Sequence, residues 1–439
     1  MPSRSPALST TPSSSGRCAT CRPWPPPFTE PRCICPPLTH LNADTPARPA
    51  LAAGRFRHAD QIATIDAAAW DGLFGGGYPF TSHRFLKALE TSGSVSPQLG
   101  WRPCHLLLEA ADGRLLAACP LYLKAHSYGE FVFDFAWARA AEQLGQSYYP
   151  RLVNAIPFTP STGPRWAAID AEAEALLLQR LGELAAERGY SSTHVLFVDA
   201  SGAGAAQQAG ASLRHDIQYQ WFNDDYLHFD DFLARLSSDK RKKIRRERRK
   251  LVECGITYQR EAAHTLSAGA LDEVFALYAS TYALRGQPPY LNRAFFDDYL
   301  REGPSPMWVL SGRAAGQEDQ REMMALFFEG DDTLYGRHWG ARRELDGAHF
   351  ETCYYQGIDW CIERGLRRFD AGTQGDHKRS RGFDPVRTTS AHWLVEPRLR
   401  AAVDDFLARE RAAVTDHAAW LRRAHSAYRQ PAAAGGADG

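Results

Sequence analysis

The sequence predicts an α/β fold of the α+β kind, with mixed central sheets, made by two passes through one order of elements. Two observations carry this reading. Patterns for two helices, a three-strand meander, a helix and a strand run from Ala59 to Phe222 and recur from Ala268 to Val395. The repeat is one of architecture rather than of residues. The apolar runs LLAACPLYL and MMALFFEG are short and bounded by glycine or charge, as buried strands are.

In chain order, residues 1–54 form a lead. As far as Ala50 it is rich in Pro, Ser, Thr and Ala without hydrophobic periodicity, a composition that predicts disorder. Cys18, Cys21, Cys33 and Cys35 have a spacing that tetrahedral zinc accepts, although the composition favours solvated thiols without metal. The other five cysteines, Cys104, Cys119, Cys254, Cys353 and Cys361, fall in core patterns and read as reduced buried thiols.

The first unit, 55–225, is expected to hold helices at Ala59–Leu73 and His83–Ser92. Its strands are expected at His105–Glu109, Leu115–Leu123 and Phe131–Phe135. The amphipathic helix Ala171–Arg188 stops at Gly189, a C-terminal glycine signature. A strand at Thr193–Val198, a short helix at Ala203–Ala209 and a strand at His215–Phe222 complete it. The second unit, 226–395, repeats this with helices Ala268–Ala283 and Arg293–Arg301 and strands Met307–Gly312, Met323–Glu329 and Leu334–Trp339. The helix His349–Arg364 is apolar nearly all round, which marks it as sandwiched. Strands at Arg368–Ala371 and Thr388–Val395 follow, joined by the polar loop Gly372–Pro385. Residues 396–439 are expected to be an amphipathic helix, Leu399–His425, packed on the second unit, and a loose end.

Fifty-one basic and 51 acidic residues leave no net charge, so any affinity for nucleic acid or acidic membrane has to be local. No run of 18 apolar residues exists, and the N-terminus lacks the apolar core of a signal peptide. The expectation is a cytoplasmic protein, peripheral at most on the inner membrane face. Local charge is present at 237–254, where nine of the eleven residues Lys240–Lys250 are basic and Glu247 alone opposes them within the run. Like charges at helical spacing repel, which predicts an anionic partner: a phosphate, tRNA or a lipid headgroup. The plainer reading is a solvated face. The interleaved aromatics of single-strand nucleic-acid binding are missing.

The helix HFETCYYQGIDWCIERGL followed by FDAGTQGDHKRSRGF carries a family resemblance. It is similar to the FemAB-like proteins, a branch of the GNAT acyltransferase superfamily, at Gly365, Asp370, Gly372, Lys378, Gly382 and Phe383. The resemblance extends over Arg55 to Leu394. It implies tandem GNAT-like domains. It also implies N-acyl transfer from an activated donor, acyl-CoA or aminoacyl-tRNA as co-substrate, to an amine such as that of a cell-wall precursor, with no bound cofactor or metal. The alternative is a non-catalytic GNAT-like protein that binds anionic cell-wall, lipid-linked or RNA ligands.

Under that resemblance, the proton acceptor is sought at the end of the third strand of the second unit. His338 is the first candidate, because histidine titrates near neutral pH, and Glu351 in the first helical turn is the second. Their plainer readings are a satisfied half-buried histidine and a carboxylate at a helix N-terminus. Donor contacts are expected from Trp339, Tyr354, Tyr355, Gln374, Gly375, His377, Lys378, Arg381 and Phe383. Arg241, Lys243 and Arg245 of the basic stretch join them. Glycines let backbone amides approach an anion, and the cations complete a cradle. Arg342, Arg343 and Gly347 lack the glycine spacing of the acetyl-CoA pyrophosphate loop. The strand end, helix start and loop should converge on one pocket. Acceptor contacts are assigned to Tyr128, Asp134, Trp137 and Tyr149 of the first unit.

Overall fold

The computed structural model describes residues 54–373, 375–424 and 426–429. The expected disorder and zinc reading of the lead, the contact assigned to Gln374, and the loose end from 430 onwards lie outside the described residues. In chain order the strands are β1 (Arg55–Ala59), β2 (Trp101–Pro103), β3 (His105–Glu109), β4 (Leu115–Cys119), β5 (Tyr122–Lys124), β6 (Arg151–Asn154), β7 (Ala167–Ala168) and β8 (Ser192–Val198). There follow β9 (Ser212–Phe222), β10 (Ile256–Ala262), β11 (Met307–Ala314), β12 (Met323–Glu329), β13 (Thr333–Ala341), β14 (Arg368–Asp370) and β15 (Asp384–Leu394). A small sheet has the order β1-β3-β4-β7. The large mixed sheet runs β10-β11-β12-β13-β14-β9-β15-β8-β6-β5-β2.

The large sheet shows how the two passes meet. Each pass supplies one parallel pair, β6 with β8 and β13 with β14, each with three paired positions. A helix crosses over within each pair, Ala171–Glu187 in the first pass and Ala348–Arg364 in the second. The last strand of each pass then lies beside the other pass's pair, β15 against β8 and β9 against β14. Between them β9 and β15 are antiparallel over nine paired positions, Asp384↔Gln220 to His392↔Ser212. The arrangement is that of two units with the same order of elements whose final strands are exchanged at the centre of one sheet.

The core is continuous across this join. On one face Trp70, Phe80 and Phe85 of the first pass pack with Tyr278, Phe295, Tyr299 and Phe328 of the second. On the other, Trp221 packs with Phe327, Tyr355, Trp360 and Phe369. Each fully buried aromatic contributes about 1.5–3 kcal/mol by removal from water.

Several expected elements differ. Arg55–Ala59 is an edge strand, and the helix expected over Ala59–Leu73 is confined to Ala67–Phe74, capped by Asp66, which accepts from the Ala69 amide. The run LLAACPLYL breaks at Pro120, which has no N–H to give a ladder, and β4 and β5 go to different sheets. Phe131–Phe135 is not a strand: its aromatics line a loop that enters the helix Phe135–Gln143, and β6 takes the place in the sheet. The polar edge strand β10 was not foreseen. The terminal helix, Pro397–Ala424, is not confined to the second unit: Leu399, Val403 and Leu407 pack with Trp137 and Tyr148 of the first pass, while Leu421 joins the second-pass core. No helix among the described residues is long and apolar enough to cross a membrane.

Candidate active site

Strand β13 leaves β14 after Tyr335↔Asp370, so the edge of β13 from Gly336 onwards has no strand partner on that side. A bulge lies at the same place: Phe327 pairs with Gly336 and Leu326 with His338, leaving Arg337 as the extra residue. The bulge sends Arg337 and His338 to one face. Arg337 lies over the Phe80 ring and donates to the Phe158 carbonyl. His338 packs on Tyr278, ring centroids 4.6 Å apart. The helix Ala268–Ala283 presses so closely here that a Cβ on Gly340 would meet the Leu277 carbonyl oxygen at 1.9 Å. Across the opening, Asp370 accepts from the Gly372 amide at 3.0 Å and from Gln220 at 3.4 Å. Burial lowers the pKa of Arg337, while the Asp370 carboxylate favours its charge. The strand edge that β14 leaves uncovered thus lies beside the Arg337 guanidinium, a positive group of the kind that stabilises an oxyanion, with the Asp370 carboxylate facing it.

His338 does not have the expected poise. Burial, and then the Arg337 charge, push its pKa down to about 3, so the imidazole is neutral at physiological pH and a weak base. The expected single pocket is also divided. Trp339 points away from His338 and meets His349 at 5.3 Å. That face holds the helix Ala348–Arg364, which contains a π-turn over Glu351–Tyr355. Tyr354 and His377 share a hydrogen bond of 2.9 Å. Lys378 donates to the Ala371 carbonyl at 2.9 Å and to that of Gly372. Arg381 stacks on Phe350 at 3.3 Å and pairs with Glu247 at 2.9 Å, and Tyr355 donates to the same carboxylate. Phe383 packs on Tyr354. Gly375, at φ 115, starts the turn that carries these residues. The second-face residues therefore come together as expected, but their cations are engaged within the protein and His338 is not among them. Strand alternation is the reason: adjacent residues beyond the bulge take opposite faces.

Glu351 is 3% exposed. It accepts from Gln356 at 2.7 Å and faces Arg248 at 3.3 Å, with its second oxygen unpartnered. Burial raises its pKa and Arg248 opposes the rise. It faces the basic helix, Ser238–Glu253, rather than the cleft. That helix is more neutralised than the sequence implied. Arg245 pairs with Asp230, Arg248 with Asp359, Arg249 with Glu253, Lys250 with Asp346, and Lys243 approaches Glu247 at 3.9 Å. Among the described residues Lys240, Arg241, Lys242 and Arg246 make no ion pair, although the Arg246 charge helps to lower the pKa of Asp346.

The first-pass residues form a closed network. Asp134 accepts from Ser127 at 2.5 Å and Tyr148 at 2.7 Å and pairs with Arg151 at 2.9 Å. Tyr149 joins through Ser127 at 2.7 Å, and Trp137 packs on His392. The Tyr128 ring is tilted against that of Phe135, and its carbonyl accepts from Lys124. Burial draws Lys124 down to about 7 and raises Glu130. Asp134 and Trp137 are 3% and 4% exposed, so both point inward rather than to an open acceptor surface.

The open space lies at the join of the two passes. A cavity of about 200 Å³ runs along Arg214–Gln218 of β9, with Thr388 and Ser390 of β15. Phe131, Val132, Phe133, Phe197 and Thr373 also line it. Gly372, just before Thr373, lies beside the Gly336 carbonyl, where a Cβ would meet it at 3.7 Å. A larger hollow, about 460 Å³, lies on the small sheet between the Arg57–Glu109 ion pair and Leu73, away from both clefts. Arg337, Asp216, Gln218 and Thr373 were missed by sequence reasoning; DIQYQ, polar at every second position in a core strand, was the available signal for two of them. Among the described residues no group of three His, Cys, Asp or Glu side chains is placed to hold a metal ion.

A family model for FemAB-like proteins, described as peptidoglycan biosynthesis/recognition, matches residues 61–430. No curated protein matches in sequence. Solved structures are similar at low identity. A C-terminal DUF2156 domain from Agrobacterium fabrum gives a TM-score of 0.48 at 11% identity, over 79% of this chain and 97% of that one. FemX gives 0.46 at 12%, over 80% and 100%. A tandem GNAT protein from the clavulanic acid biosynthesis pathway gives 0.40 at 11%, over 78% and 99%.

Proposed function

This chain belongs to the FemAB-like family, and from that premise we propose that it transfers an acyl or aminoacyl group from an activated donor to an amine. The observation that carries this reading is the bulged opening between β13 and β14, with Arg337 at the bulge. A donor carbonyl laid along the free edge of β13 meets unpaired backbone donors. The Arg337 guanidinium supplies positive charge where the tetrahedral intermediate's oxyanion develops. Aminoacyl-tRNA and acyl-CoA are the donor classes, and a peptidoglycan precursor is the acceptor class that the family description favours. Both donors would place the reaction in the cytosol. The unpaired cations of the basic helix would meet the donor's phosphates.

The test is mass-spectrometric. The full chain is incubated with each donor class and an amine panel that includes UDP-linked muropeptides. An amide product that requires the protein is expected, and Arg337→Ala should lower kcat by about 100-fold, the effect of removing one oxyanion donor. A folded Arg337→Ala variant with unchanged kcat removes Arg337 from the mechanism. A chain that consumes no donor with any amine overturns the transferase reading.

A further inference from the structure

The free edges of the two sheets are not alike. β2, at one end of the large sheet, has three residues and ends in Pro103. In the small sheet β7 has two residues, and β1 has five, with Arg55, Arg57 and His58 among them. Short strands, proline and outward charge are what keep a sheet edge from pairing. β10, at the other end of the large sheet, lacks these guards. Its seven residues, Ile256–Ala262, include no proline or lysine and pair with β11 at seven successive positions without a bulge. Its two charges are turned back into the fold. Arg260 pairs with Glu363 and lies over the Trp360 ring, and Glu261 accepts from Ser311 at 2.6 Å and pairs with Arg321 at 3.0 Å. Thr257 and Gln259 are exposed. The phase of the strand decides which backbone groups are free. The Gly255 carbonyl accepts from the Ala315 amide at 2.9 Å, so the odd-numbered residues of β10 turn their backbone groups toward β11. Tyr258 and Arg260 therefore present N–H and C=O on the outer side, where no described strand takes them.

We propose that β10 is a dimerisation edge whose partner is β10 of a second copy of this chain, paired antiparallel about a two-fold axis at Gln259. Such an interface is self-complementary by construction, and the residues of β10 meet that condition. In this register the whole strand overlaps, and Tyr258 of each copy exchanges backbone hydrogen bonds with Arg260 of the other. The side chains match as well. The two Gln259 amides hydrogen-bond to each other, Thr257 of each copy donates its hydroxyl to Glu261 of the other, and Arg260 meets the Tyr258 ring. No like charges meet. Centring the pair on Arg260 sets two guanidiniums opposite each other, which is unfavourable. Centring it on Tyr258 leaves Glu261 and Ala262 of each copy without a strand partner. This match of the strand with itself is what favours a second copy over an unrelated extended peptide as the occupant of the edge.

The experiment is sedimentation velocity of the full chain from about 1 to about 100 µM, with amide hydrogen exchange at both ends of that range. The parent should sediment as a dimer at the upper end, with the Tyr258 and Arg260 amides protected there. Gln259→Lys sets two ammonium groups opposite each other at an exposed position. It should weaken dimerisation by at least about 10-fold, with the melting of the monomer little changed. The same two amides should then exchange at least about 10-fold faster at the upper concentration. Arg260→Pro removes an outward N–H that the ladder with β11 does not use, and should also weaken the dimer. A chain that stays monomeric throughout, with these amides exchanging freely, overturns the proposal and leaves the edge to another occupant. A dimer that survives Gln259→Lys with these amides unprotected has its interface elsewhere and overturns it equally. Donor consumption is not an arm of this test, so the transferase reading stands or falls separately.

Discussion

Burial is the first cause of the pKa shifts of His338 and Lys378, with two consequences. His338 sits on Tyr278 with its pKa near 3, so its imidazole resonances should stay constant between pH 5 and 8. A midpoint near 6.5 in a 1H–15N titration would restore the base role that its position in the sequence suggested. Lys378 is braced by two backbone carbonyls, and burial lowers its pKa from 10.5 to about 8, against the pull of Asp370. The sign follows from linkage. Between pH 8 and 10.5 the unfolded chain holds a proton that the folded chain has released, so this group's contribution to stability rises with pH across that window. Lys124, drawn down to about 7, acts in the same direction from lower pH. Urea unfolding of the parent and of Lys378→Met at pH 7.5 and 9.5 isolates the Lys378 share. The parent should gain about 1 kcal/mol or more over the variant on going to pH 9.5; a constant difference would mean that the Lys378 amine titrates normally.

The basic helix divides by partner. Its inner side is fixed to the fold: Glu247 joins Arg381 and Tyr355, and Arg248 bridges to Asp359. Its outer cations, Lys240, Arg241, Lys242 and Arg246, carry the anion-binding expectation. Replacing those four with Ala should flatten the dependence of polyanion affinity on salt by about three units of log–log slope, since each lost phosphate contact removes counterion release. Replacing Lys243, Arg245 and Arg248 should change the slope less and the melting temperature more. Equal effects on the slope from both sets would return the helix to a solvated face. Sequence showed this helix and its charge, but not which cations are neutralised, because Asp230, Asp346 and Asp359 lie on other elements. The same limit explains the elements that differed. FVFDF alternates as a strand does, yet its aromatics wall a cavity formed by strands distant in sequence. The polar ITYQREA pairs on one side only, with β11, and an edge strand needs no alternating apolar face. The helix Ala348–Arg364 and the strands β12 and β13 were legible because their signals are local. The division of the site between two sheet faces was not, because it depends on one extra residue in β13.

At the scale of the whole molecule, order along the chain was readable while partnership was not. The two passes could be counted from periodicity. The exchange of β9 and β15 between them is fixed by non-local register, which no window of sequence contains. The exchange has a mechanical consequence. A first fragment, 54–225, would carry β8 without β15 and β9 without β14, and would lack the second-pass aromatics that pack on Phe80. Phe80 alone meets Phe328 at 5.0 Å and Tyr335 at 5.2 Å across the join. A second fragment, 226–429, would lose the same pairings from the other side. Each fragment exposes unpaired strand edges and a broad apolar face, losses that exceed the few kcal/mol by which a domain is stable. Neither should therefore melt cooperatively alone, and mixing the two should restore one cooperative transition together with the dispersed NMR spectrum of the intact chain. Division at Asp225, whose φ of 55 marks the turn between passes, keeps every described strand whole. A dispersed spectrum from either fragment by itself would show that the passes are independent units and that the exchanged strands contribute little to holding them together.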